Sequence, residues 1–260
     1  MKHLDFTIDF ETCALSANAA PMQVAIVPWR REAESDPFIL DDTGEATEEA
    51  ASAWPEPLEL YVDLRTCVTD GYDFDPETIA WWTRQTYEAK RAVCDGLPQP
   101  IDEVTVEIVN YLRRAVEQLH LDSICLWSQG DTDMGILRNL CRRHDFDMEE
   151  DVIPHTQLRD CRTIILEAAF IKRAQEIAKS NEEFLRSGKA VSEVEILDSG
   201  AVVPCPAVSP QEVLANPRKA YDLFPTLPSC YAEGRCLHDA LYDALRSTWY
   251  TWQALKTLQQ

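Results

Sequence analysis

Residues 4–15, LDFTIDFETCAL, alternate between apolar and polar side chains. Phe6, Ile8 and Phe10 fall on one side of an extended chain, and Thr7, Asp9 and Glu11 on the other. A period of two, rich in β-branched and aromatic residues, predicts a half-buried strand. Successive strand side chains point to opposite faces, so Asp9 and Glu11 project together. Two ionised carboxylates side by side repel each other. Such a pair suits open water or a divalent cation.

The same reading continues along the chain. Residues 22–29, MQVAIVPW, and residues 58–64, LELYVDL, predict a second and a third strand. Asp75-Pro76-Glu77 is a helix start, with a capping acid, a proline at the first helical position and an acid in the first turn. One helix is expected to follow through residues 78–93, carrying the adjacent Trp81 and Trp82. A second helix is expected over residues 102–120, where Val104, Ile108, Tyr111, Leu112, Ala115 and Leu119 recur at helical spacing. The short apolar run SICLW, residues 123–127, has the profile of a buried central strand. A loop and cap, SQGDTD, lead from it into a helix over residues 134–146. A fifth strand at 153–161, a helix at 162–177 and a long final helix at 237–258 complete the reading. Strands followed by helices, then strand–helix–strand–helix, predict a mixed α/β sheet with helices on both faces. In such folds functional residues gather at strand ends and helix starts. The whole chain, 1–260, reads as a single domain with two insertions. One is acidic, at about 30–57, and the other irregular, at about 181–235.

Charge and cysteine usage narrow the function. The net charge is −21 over 260 residues, which opposes indiscriminate binding to a long polyanion. A local contact with a nucleic-acid end, made through bound metal and a few Lys or Arg, stays open. The nine cysteines are dispersed and none forms C-x-x-C, the pattern of free thiols in a reducing compartment. Cys230, Cys236 and His238 are the one candidate zinc set. No apolar run approaches a membrane span, and the first residues lack the apolar stretch of a secretory leader. A cytoplasmic protein is expected.

Two further stretches carry candidate chemistry. WSQGDTDMGIL, residues 127–137, puts an acid before a helix, and HDALYDA, residues 238–244, puts a histidine and an acid at another helix start. The candidate acids are Asp9, Glu11, Asp133 and Asp243. Asp131 competes with Asp133. Ile136 and Leu137 follow Asp133 at the spacing of a helix face pinned to the core, which favours Asp133. Four carboxylates in one site would raise each other's pKa, and two divalent ions would relieve this and form a phosphodiester-hydrolysing centre. Mg²⁺ or Mn²⁺ suits an all-carboxylate set. His238 and Asp243 lie roughly 140° apart on a continuous helix, so both reach one site only if His238 precedes the helix or opens its first turn. There it would suit general-base work.

TIDFETCAL, WSQGDTDMGIL and HDALYDA, in this order, resemble the three motifs of the DEDDh 3′–5′ exonuclease superfamily, which has a ribonuclease-H-like fold. DPETIAWWTRQTYEAKRAV and RDCRTIILEA resemble elements of the mycobacterial-type exoribonuclease-like branch, also common in phages. The resemblance covers most of the chain apart from the two insertions. It implies that Asp9, Glu11, Asp133 and Asp243 hold two metals and that His238 is the base. It further implies that Leu15 is an apolar wedge near the terminal base, and that Thr12 contacts the terminal nucleotide. Trp82, as a stacking surface, and Arg162, as a phosphate contact, are expected to bind substrate as well. Cys13 and Ala14 depart from the Thr and Gly of many members. The expected activity is release of nucleoside monophosphates from 3′ ends of single-stranded RNA or DNA. Two rivals stay open: an exonuclease-like module that binds nucleic-acid ends or a protein without turnover, and an acidic nucleic-acid mimic built on residues 30–57.

Overall fold

The computed structural model describes residues 2–38, 55–187, 194–196, 202–204 and 218–259. Most of the acidic segment, 39–54, and much of the irregular one lie outside the described residues. In chain order the elements are β1 (His3–Thr12), β2 (Pro21–Trp29), β3 (Leu58–Val62), α1 (Leu64–Asp70), α2 (Pro76–Thr83) and α3 (Tyr87–Ala92). Then come β4 (Pro98–Gln99), α4 (Ile101–Leu119), β5 (Ser123–Ser128), α5 (Asp131–Arg143) and β6 (Leu158–Asp160). The last are α6 (Cys161–Ser187), β7 (Val194–Ile196), β8 (Val202–Pro204), α7 (Arg218–Tyr221), α8 (Ser229–Ala232) and α9 (Ala240–Leu258).

Six strands form a mixed sheet in the order β4-β3-β2-β1-β5-β6. The first three strands run as an antiparallel meander, and β5 and β6 add in parallel on the other side of β1. This is a ribonuclease-H-like sheet with β1 at its centre. Phe6, Ile8 and Phe10 pack in one core with Ile101, Ile108 and Leu112 of α4 and Ile136, Leu137 and Leu140 of α5. Covering one face of β1 this way predicts a solvated opposite face, yet that face is buried too. Asp5 and Thr7 are fully buried, and Thr7 receives a hydrogen bond from Thr248 of α9 (2.8 Å). The expected half-buried strand is therefore buried on both faces, because a helix lies on the polar side as well.

The helix expected at 162–177 runs on to Ser187, and three other elements depart from expectation as well. The helix expected over 78–93 divides, since Arg84 caps the end of α2 and Thr86 turns extended and accepts the Ala89 N–H (3.1 Å), starting α3. A threonine hydroxyl offers the backbone this alternative wherever the chain can leave the helix. The strand expected at 153–161 shrinks to Leu158–Asp160, behind a wide helical turn at Met148–Val152 and a tight one at His155–Gln157. Helix α5 begins at Asp131, earlier than expected.

The described residues divide into two compact units. The first holds residues 1–161 and 227–249, with the six-stranded sheet and the start of α9. The second holds 162–226 and 250–260. Within the second, Tyr221 meets Tyr250 edge to face at 5.0 Å, Lys172 lies over the Phe224 ring, and Gln253 donates to the Pro225 carbonyl (2.9 Å). Among the described residues no helix is long and apolar enough to cross a membrane.

Candidate active site

The site is built from the end of β1. Asp9 and Glu11 stand on its polar face, each at most 9% exposed. Beside them β2 brings Gln23, whose Cα pairs with Glu11. The chain leaves β1 through Thr12, whose hydroxyl donates to the Ala14 carbonyl (2.6 Å) and whose own carbonyl accepts the Trp82 indole N–H (2.9 Å). Trp82 is thus a buried brace for the strand end, with little free face for stacking. Leu15 follows at 79% exposure, a bare apolar side chain beyond the acids. Cys13 and Ala14 are buried and face the core.

The β5–α5 turn supplies Asp133. Gly130 has φ 88° and ψ −160°, a region reserved almost entirely for glycine. Its N–H donates to Asp160 (3.1 Å) and its carbonyl accepts the Ser128 hydroxyl (2.8 Å). This tight turn swings the chain into α5, whose first turn carries both acids of the motif. Asp131 is exposed, whereas Asp133 is buried and its charge bears on Glu11.

The third part comes from far along the chain. His238 stands before α9 in a left-handed conformation, φ 67°, rare for a residue with a side chain. Its N–H donates to the Asp243 carboxylate (2.9 Å), and its Nδ1 lies 4.0 Å from Glu11 Oε1. That turn is what the sequence required if His238 and Asp243 were to face one place. The ring stands edge to face against the half-buried Trp81 at 4.8 Å and against Trp82 at 6.0 Å. Arg162 is exposed in the first turn of α6 and belongs to the second unit.

The electrostatics are one-sided. Burial, followed by the charges of Asp243, Asp133 and Asp239, pushes the Glu11 carboxyl far above the usual carboxylate range. Asp243 is pushed up too, chiefly by burial, against the His238 N–H that holds it down. Burial and the neighbouring acids outweigh the His238 and Arg246 charges that favour the ionised Asp243. Ligand atoms of Glu11, His238 and Asp243 lie within 4.8 Å of one another, a group that fits a cation. The carboxylate-rich donor set suits a hard divalent ion. Cys230 is exposed, and among the described residues Cys230, Cys236 and His238 do not converge, so the candidate zinc set is set aside.

Asp239 is the neighbour that the motif reading passed over. It is 4% exposed, caps α9 by accepting the Leu241 N–H (3.1 Å), and pairs with Arg235 (3.1 Å). Its position four residues before Asp243 was the available signal.

No curated protein matches the chain at a significant level. The family model described as the 3′–5′ exoribonuclease Rv2179c-like domain matches residues 5–186. That segment contains Asp9, Glu11 and Asp133, while His238 and Asp243 lie beyond it and return to Glu11 only through the fold. With most of its length matched, including the strand that carries the paired acids, this chain belongs to the Rv2179c-like 3′–5′ exoribonuclease domain family.

Proposed function

We propose that the protein is a metal-dependent 3′–5′ exonuclease that shortens single-stranded RNA or DNA and releases nucleoside monophosphates. The observation that carries this reading is the convergence of Glu11, His238 and Asp243 beside the buried Asp133, at the end of β1 within the segment matched to the family. Asp9, Glu11, Asp133 and Asp243 would hold two Mg²⁺ or Mn²⁺ ions. Bound there, two divalent ions supply Lewis-acid stabilisation of phosphoryl charge and an acidified water.

The chain's own groups do the rest. His238 Nδ1, the ring nitrogen that faces Glu11, accepts the proton of the attacking water. Trp81 and Trp82 limit the tilt of that ring from its edge. The Asp243 carboxylate fixes the backbone on which the ring is mounted. Thr12 has committed its hydroxyl proton to Ala14, which leaves its oxygen free to accept from a terminal sugar hydroxyl. Leu15 wedges against the terminal base, and half-buried Trp81 is better placed to offer a stacking face than buried Trp82. Arg162 remains a proposed phosphate contact.

The test is product analysis on short single strands of RNA and DNA. Nucleoside monophosphates should appear with Mg²⁺ or Mn²⁺ and disappear in excess chelator. Full hydrolysis in chelator would sink the metal-dependent reading. Tight end binding without turnover would favour a silent binding module.

A further inference from the structure

The residues before α9 are tied down by a polar network that no step above uses. Arg235 sits three residues before His238. Its guanidinium bridges Asp239 (3.1 Å) and both oxygens of Glu59 on β3 (3.3 Å each). Gln23, fully buried on β2, donates to Glu59 (2.9 Å) and to Asp239 (3.3 Å), and its own oxygen accepts the Ala240 N–H (3.0 Å). The Tyr61 hydroxyl completes the set by donating to Glu59 (2.7 Å). Both flanks of His238 are therefore fastened to the same two strands, Arg235 on one side and Asp239–Ala240 on the other.

This arrangement has a mechanical consequence. A non-glycine residue at φ 67° is strained and persists only where its surroundings over-determine it. The His238 N–H bond to Asp243 fixes one side of that turn. The network fixes the turn to β2, which pairs with the strand that carries Glu11, and to β3 beyond it. It also has an electrostatic one. Arg235 is the cation shared by two acids, and without it the buried Asp239 would face Glu11 and Asp243 uncompensated.

We infer that Arg235, held by Glu59 and Gln23, is a positioning residue that sets the His238 imidazole against the acids of β1. It touches neither substrate nor the reacting atoms. The inference rests on His238 acting as proposed above, but its core claim concerns where the ring sits. It lies outside the segment matched to the family.

The experiment pairs a structural readout with kinetics. The His238 ring resonance is identified in a histidine-labelled protein by its loss in His238→Ala. In the wild type the ring currents of Trp81, 4.8 Å away, displace it from the position of a free histidine. Arg235→Gln should move it back toward that position while the protein still melts cooperatively. Glu59→Gln is the second variant, keeping shape while removing the charge that holds the guanidinium, and should move the resonance the same way. In turnover of a short single strand, Arg235→Gln should lower kcat by about 10²-fold, the loss that a roughly 1 Å misplacement brings, with little change in KM. The double variant with His238→Ala should be no slower than His238→Ala alone, because the two act as one. An unmoved resonance in both variants, or additive losses in kcat, would overturn the inference. A wild type that hydrolyses no strand at all would instead refute the functional reading, and the resonance would still decide the positioning.

Discussion

At the scale of the residue, the site depends on acids whose neighbours are chosen by the fold. Asp133 and Asp131 share one turn and one charge, yet one is buried toward Glu11 and the other is exposed. Asp133→Asn should lower kcat by about 10²-fold or more and weaken Mn²⁺ binding, whereas Asp131→Asn should stay within about twofold, as a surface change does. Steady-state hydrolysis and a calorimetric Mn²⁺ titration of both variants check this. Glu11 gives a stability prediction. Its carboxyl is raised in the folded protein by burial and by Asp243, Asp133 and Asp239, so the fold takes up a proton that the unfolded chain releases. Without metal, stability therefore falls as pH rises above the ordinary glutamate range. Glu11→Gln should make the metal-free protein more stable at neutral pH, by about 2–4 °C for each kcal/mol of relief. It should also gain less from added Mn²⁺ than the wild type. Thermal melts with and without metal decide it, and a less stable metal-free variant would count against repulsion within the cluster. The alternation of residues 4–11 was enough to place Asp9 and Glu11 on one face. The burial of Trp82 was not legible, because its partner, the Thr12 carbonyl, is backbone and carries no sequence signal.

At the scale of the element, local rules succeeded where the partner was near in sequence. The Asp75 cap, which accepts the Thr78 N–H (2.8 Å), and the first two strands fall where capping and alternation put them. They failed where two local signals competed, as at Thr86, which reads as helix by neighbourhood and as a cap by chemistry. The Arg235 network was out of reach because Glu59 lies 176 positions from Arg235 and Gln23 lies 216 from Asp239. The β5–α5 turn makes the element-scale prediction. Gly130 cannot be replaced without strain, so Gly130→Ala should cost about 1–3 kcal/mol of stability. Because the turn aims Asp133, the variant should also lose activity beyond what its altered melt explains. Denaturant unfolding and kcat at a temperature where both proteins are fully folded separate the two effects.

At the scale of the whole molecule, the acids at one end of β1 contrast with a neutralised cluster at the other. Asp5 is fully buried, yet its carboxyl lies below the usual range. Burial would raise it, but bonds from His3 and Arg31, the Arg31 charge and the Trp127 indole (2.7 Å) outweigh that. A depressed carboxyl contributes stability that is present above the unfolded pKa, about 3.9, and lost as pH falls through the folded one. Between neutral pH and about pH 3 the wild type should lose stability more steeply than Asp5→Asn, by urea unfolding at each pH; parallel curves would contradict the pairing. One chain thus stores an acid held down by its partners in its core and acids pushed up by burial and mutual repulsion at the sheet end, and that difference supports the proposed metal dependence. Its most direct test is to follow one RNA strand labelled at its 5′ end and the same strand labelled at its 3′ end, with Mg²⁺, using the wild type and Asp9→Ala. A metal-dependent 3′–5′ exonuclease gives a descending ladder from the 5′-labelled strand, immediate release of a labelled mononucleotide from the 3′-labelled one, and neither with Asp9→Ala despite an intact fold. A ladder from the 3′-labelled strand, internal cuts, or full activity in Asp9→Ala would contradict that reading.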